Sequence, residues 1–163
     1  MNRKIGVLLF LQLVAILCSV AVTFAFVKYR SIKYDSLTEV IITSRTWRKD
    51  YSYGLTNENG AWIAVDYSDM NECRKRAVDE AFANRVKKIL SDYQVHTWDG
   101  FEGSDNIITS YGNGSYSYND YYGFYMALDD DTTINAGGYV ICPRHFDKVL
   151  DALIELFAPL FSE

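Results

Sequence analysis

This chain of 163 residues has only three cysteines, two prolines and two histidines. There is no Cys-x-x-Cys pair and no Cys/His cluster, so a zinc site has no ligand set. Glycine never falls in a Walker or Rossmann pattern, which removes the usual backbone cradles for phosphate. No Gly-x-Ser-x-Gly elbow occurs, so hydrolytic serine chemistry has no scaffold here. Basic excess is missing as well. The formal net charge is −5, whereas binding nucleic acid calls for a basic stripe. No metal, cofactor or nucleic-acid partner is therefore expected.

What the chain does have begins at its amino end. Residues 5–27 carry no charge, and Gln12 is their only strongly polar member. As a helix at about 1.5 Å per residue the run spans about 34 Å, enough for a hydrocarbon core of about 30 Å. A cleaved signal peptide has a shorter apolar region, about 7–15 residues, and Thr23, Phe24 and Ala25 make a poor cleavage site. Cys18 follows Ile16 and Leu17 rather than the small residues of a lipoprotein signal. The favoured reading is an uncleaved signal-anchor, with the lipid bilayer as its partner and cleaved secretion as the alternative. Arg3 and Lys4 before the span nearly balance Lys28, Arg30 and Lys33 after it. The short amino tail argues that the rest is translocated. Residues 1–34 are thus expected to be anchor and short stalk, and residues 35–163 a domain outside the cytoplasm. All 21 acidic residues follow the run, which suits solubility there.

The rest reads as alternating strands and helices. Residues 37–47 are rich in β-branched side chains, and Asn59-Gly60 is a strong hairpin signal before 61–67. Residues 37–67 are therefore expected to form one hairpin with a long, tyrosine-containing connection. A helix is expected after Asp69, with Glu72 completing a capping box and Val78, Phe82, Val86, Ile89, Leu90 and Tyr93 on one face. Its basic residues could lie on a membrane surface. A core helix with a solvated outer face is the simpler reading. Residues 95–101 and 106–112 read as short strands. Those at 121–128 alternate strictly, with Tyr122, Phe124, Met126 and Leu128 on one side. Asp129, Asp130 and Asp131 then turn the chain into a partner strand. The last helix is expected from Pro143, with an apolar stripe of Phe146, Val149, Leu150, Leu153, Phe157 and Leu160. The fold class is therefore α+β: a largely antiparallel sheet, two amphipathic helices on one face, and an N-terminal transmembrane helix.

Candidate chemistry is sparse. The chain has 13 tyrosines, and six aromatic residues crowd into 112–131. Tyrosine is an ordinary strand residue. Yet helices on one sheet face leave the other wet, and there Tyr116, Tyr118, Tyr121 and Tyr125 could form a ligand-binding platform that stacks sugar rings or bases. Cys142 stands near a helix N-terminus, where a thiol is acidified, and His96 or His145 could serve as its base. The simpler reading is a buried cysteine, as for Cys73, although a disulfide between the two is open. Asp99, Glu102 and Asp105 could supply two carboxylates for a glycosidase. The acidic run at 129–131 lacks the spacing of a calcium loop and reads as a polar turn.

The segment "WDGF" at 98–101, the aromatic hairpin with its acidic tip, and "GGYVICPRHFDKVLDALIELF" at 137–157 resemble a group of uncharacterised bacterial domains. These occur in secreted or membrane-anchored proteins of Gram-positive bacteria. The resemblance implies an envelope location and no activity. This chain departs from the pattern where three aspartates replace Asp-Gly and where Tyr139 stands in place of Asn. In architecture alone, minor pilins also join an apolar helix to an antiparallel sheet, but residues 5–27 lack the glutamate those helices carry. The expectation is a non-enzymatic binding or scaffolding module at the cell envelope, its partner an envelope protein or glycan. A cell-wall or glycan hydrolase and a minor-pilin-like subunit are the alternatives.

Overall fold

A computed structural model describes residues 12, 14–16, 33–45, 50–69, 72–103, 121–139 and 141–162. The chain divides into two units, Met1–Ile32 and Lys33–Glu163. In the first, residues 12 and 14–16 are helical. Most of the expected span at 5–27 lies outside the described residues. Among the described residues no helix is long and apolar enough to cross a membrane.

The second unit is α+β. Seven strands form one sheet: β1 (Leu37–Arg45), β2 (Asp50–Glu58), β3 (Ala61–Asp66), β4 (Arg74–Val78), β5 (Phe101–Glu102), β6 (Tyr121–Leu128) and β7 (Thr133–Tyr139). Their spatial order is β4-β3-β2-β1-β6-β7-β5. Every pairing is antiparallel except the short one between β5 and β7. Both ends of this sheet resist further pairing: β4 carries Arg74, Lys75 and Arg76, and β5 is only two residues long.

Local chemistry accounts for the turns. Asn59 and Gly60 take φ values of 54° and 88°, the two left-handed residues of a tight hairpin. The Asn57 side chain accepts from the Gly60 N–H at 2.8 Å. At the other hairpin Asp131 takes φ 61°, and the Asp130 carboxylate accepts from the Thr132 N–H at 3.0 Å. The acidic triplet is thus a turn in which aspartate does the work expected of glycine.

Four expectations need correction. The supposed connection at 48–60 contains β2, whose alternation of Tyr51, Tyr53 and Leu55 is masked by Gly54. Residues 74–78 are strand β4, so the first helix, α1 (Glu80–Asp92), starts well beyond Asp69. Asp79 caps it instead, accepting from the Phe82 N–H at 2.8 Å. Opposite charges hold β4 in place: Arg74 is ion-paired to Asp66 on β3, and Lys75 lies 3.4 Å from Glu58 on β2. Residues 95–98 form a single 3₁₀ turn rather than a strand. The last helix, α2 (Phe146–Phe157), follows a tight turn closed by Phe146 N–H to Pro143 O at 3.1 Å, so Pro143 precedes the helix rather than entering it. The expected strand at 106–112 lies outside the described residues.

The strands bury alternate positions. Val40, Ile42, Leu55, Ala64, Phe124, Met126 and Ile134 are all buried, and the register places them on one sheet face. From α2, Phe157 stacks on Tyr53 at 5.4 Å and Phe146 meets Tyr122 edge-on at 5.0 Å. From α1, Phe82 meets Phe157 at 5.1 Å, and the Lys87 ammonium sits 4.9 Å from the Trp62 ring centroid. Trp98 lies against Phe124 and donates its indole N–H to the Arg144 carbonyl at 3.1 Å.

Candidate functional site

The other set of alternating residues builds a trough. Across the strands, Ser52, Thr43, Gly123, Gly137 and Glu102 stand side by side in one row. Two of the five are glycine, so the middle of that row has no side chain. The rows on either side are taller. One runs Ile41, Tyr125, Asn135; the other runs Arg45, Tyr121, Tyr139. Tyr121 and Tyr125 are four residues apart on β6, a separation of about 13 Å. Between them lies a hollow of about 430 Å³, lined among others by Thr43, Glu102, Tyr121, Tyr125 and Asn135.

The walls are braced differently. Tyr121 meets Tyr139 at 5.4 Å in an edge-on contact, and its hydroxyl leans over Gly123, 3.0 Å from where a Cβ would be. Tyr121 stays 36% exposed. Tyr125 is half-buried between Ile41 and Asn135. The inner end of the floor is closed. Thr43 Oγ1 and Ser52 Oγ lie 2.9 Å apart, and the Ser68 hydroxyl caps the Ser52 N–H at 3.0 Å. Tyr67 covers the neighbouring Gly54, its ring 3.1 Å from where a Cβ would be. At the outer end Glu102 is exposed. The main chain of Asn135 is engaged, its N–H donating to the Asp99 carboxylate at 3.2 Å and its carbonyl accepting from the Gly100 N–H at 2.9 Å.

Of the four tyrosines singled out in the sequence, Tyr121 and Tyr125 share this trough, while Tyr116 and Tyr118 lie outside the described residues. Gly123, Gly137, Thr43 and Asn135 complete the trough, and none of them stands out in the sequence as a candidate site residue. Their signal is a pairing between strands, which no single segment contains.

The enzymatic candidates are only partly brought together. His96 lies in the 3₁₀ turn at 95–98, and its Nδ1 shares a hydrogen bond with the Tyr34 hydroxyl at 2.8 Å. Burial pushes the His96 imidazole below its usual range and the Tyr34 phenol up to about 12. Cys142 and His145 line a different hollow, of about 740 Å³ beside the start of α2, and His96 is not among its walls. Against expectation Cys73 and Cys142 are both exposed rather than buried. Asp99 sits in a turn and Glu102 on β5, while Asp105 lies outside the described residues. No group of three metal-ligating side chains forms among the described residues.

A buried carboxylate lies elsewhere, on β3. Asp66 is 2% exposed. Burial works to raise it, but hydrogen bonds from Ser68 and Arg74 outweigh that effect and hold its carboxyl below the usual range. Arg74 also donates to the Phe161 carbonyl at 2.7 Å, tying the chain beyond α2 to β4. This is a structural clasp.

No family model, no curated protein and no solved structure matches this chain.

Proposed function

We propose that residues 35–163 form a non-enzymatic binding module of the cell envelope, held at the outer surface of the membrane by an uncleaved span at 5–27, and that the trough on β6 is its recognition surface. The observation that carries this reading is the Gly123–Gly137 pair. Glycine gives up packing and strand preference; the Tyr121 ring leans over Gly123, while at Gly137 beside it the nearest side-chain atom, the Tyr121 hydroxyl, would be 4.0 Å from a Cβ, which leaves room there for another molecule to approach the sheet. The helices support the same division of labour. Phe157 and Phe146 of α2 touch Tyr53 and Tyr122, and Lys87 of α1 touches Trp62; Tyr53, Tyr122 and Trp62 belong to one alternating set. We infer that both helices roof that face and leave the trough face for a partner. The apolar run, its flanking charges and the acidic remainder support the membrane location.

One experiment tests site and side together. A photo-crosslinking residue in place of Tyr125 is activated in intact cells, and protease is then added outside. The reading expects a crosslinked adduct that the added protease degrades. A chain that forms no adduct, or an adduct fully protected until the cells are broken, rejects it.

A further inference from the structure

Resting on that reading of the trough, we propose that its ligand is a neutral glycan strand. The charges lining the hollow decide against the main rivals. Among the described residues that line the hollow Glu102 is the only ionic side chain, and Arg45 stands at the far end of the Tyr121 row; this lining offers no basic cluster to hold phosphate, teichoic-type polymers, uronates or nucleic acid. What remains is a lining suited to an amphipathic, uncharged ring. Tyr121 and Tyr125 offer aromatic surface for the C–H faces of a pyranose. The Thr43 hydroxyl, the Asn135 side-chain amide and the Glu102 carboxylate supply donors and acceptors around the hollow. Asn135 keeps its amide for this, because its described hydrogen bonds are made by its main chain. A purely apolar partner would bury these groups without hydrogen bonds, which is costly. A sugar ring can answer each with a hydroxyl.

The floor explains the glycines in the same terms. A Cβ at Gly137 would have its nearest neighbour, the Tyr122 carbonyl, at an ordinary 3.6 Å. Packing among the described residues therefore does not demand glycine there, and its place is accounted for by a ring lying flat on the sheet. Among the described residues nothing covers the exposed Glu102 end of the trough, and Ser68 closes the Ser52 end. A glycan strand would enter over β5 and β7 and place its terminal units on the floor.

The test uses the full chain in detergent and isothermal titration. The probes are cellotetraose, chitotetraose and maltotetraose as neutral strands, tetragalacturonate and polyphosphate as anions, and tetralysine as a cation. At least one neutral tetrasaccharide is expected to bind. Tyr125→Ala and Gly137→Val, which respectively remove a wall and fill the floor, should each weaken that binding about tenfold or more while the protein stays folded by its thermal midpoint. Binding confined to the charged probes, neutral binding undiminished in both variants, or no binding of any neutral strand at millimolar concentration would each overturn the glycan assignment. A protein adduct at position 125 in cells, together with silence toward the sugars, would keep the recognition surface and discard the glycan.

Discussion

Gly138 shows how little freedom one position can have. Its φ is 149°, and a Cβ there would fall 2.5 Å from the Gly103 nitrogen and 2.6 Å from its Cα. Both are backbone atoms at the β7 edge and cannot rotate away. Gly138→Ala is expected to destabilise the domain by about 2 kcal/mol or more, read as a lower midpoint in urea unfolding. Gly137→Ala, one residue earlier, has ordinary room and should change the midpoint far less. His96 makes a different residue-scale prediction. Its folded value lies below the unfolded 6.5 because the ring is shielded from water, so below that pH the unfolded state binds more protons than the folded one. Stability therefore falls as pH drops below about 6.5. His96→Asn keeps a hydrogen-bonding group for the Tyr34 hydroxyl and removes the titration. Its thermal midpoint between pH 7 and 5 should be flatter than that of the parent chain; an identical slope would show that His96 does not set it.

At the scale of the element, the competition between Asp69 and Asp79 is instructive. Both are followed at helical spacing by apolar residues, and Asp69 even has Glu72 three positions on. Asp79 becomes the cap because residues 74–78 find partners on β3, with Arg74 against Asp66 and Val78 opposite Trp62. Once those residues are a strand, α1 has to start after them. Asp79→Ala removes the acceptor for the Phe82 N–H and should cost about 1 kcal/mol, measured by denaturant unfolding. Strand β2 tells the same story from the other side. Gly54 interrupts its alternation, and the gap is covered by Tyr67, a residue beyond the end of β3.

For the whole molecule, the proposed division of the sheet into a packing face and a recognition face predicts how mutations should sort. Phe157 is 1% exposed and touches both Tyr53 and Phe82. Phe157→Ala should therefore cost about 3–5 kcal/mol. Tyr125→Ala, on the trough side and half-buried, should cost much less while removing the crosslink or ligand signal. If the two variants lost stability equally, the trough tyrosines would be core residues and the recognition surface would be withdrawn.

Much of this was legible in the chain itself. The Asn59-Gly60 turn, the alternation of 121–128, the acidic turn after it and the apolar stripe from Phe146 to Phe157 are local patterns, each set by backbone geometry and periodicity within a few residues. The mainly antiparallel α+β class followed from them. The parts that escaped depend on distant partners: β2 and β4 are stabilised by side chains on other strands, and the exposed cysteines sit where chain path rather than residue type decides burial. The trough is the clearest case. Tyr121 and Tyr125 stood out by composition, but the space between them exists only because Gly123 is paired with Gly137 across a hairpin and with Thr43 on β1. Periodicity could set the face on which each residue lies; only the register between strands could decide which residues stand together, because that register is fixed by the packing of the whole sheet.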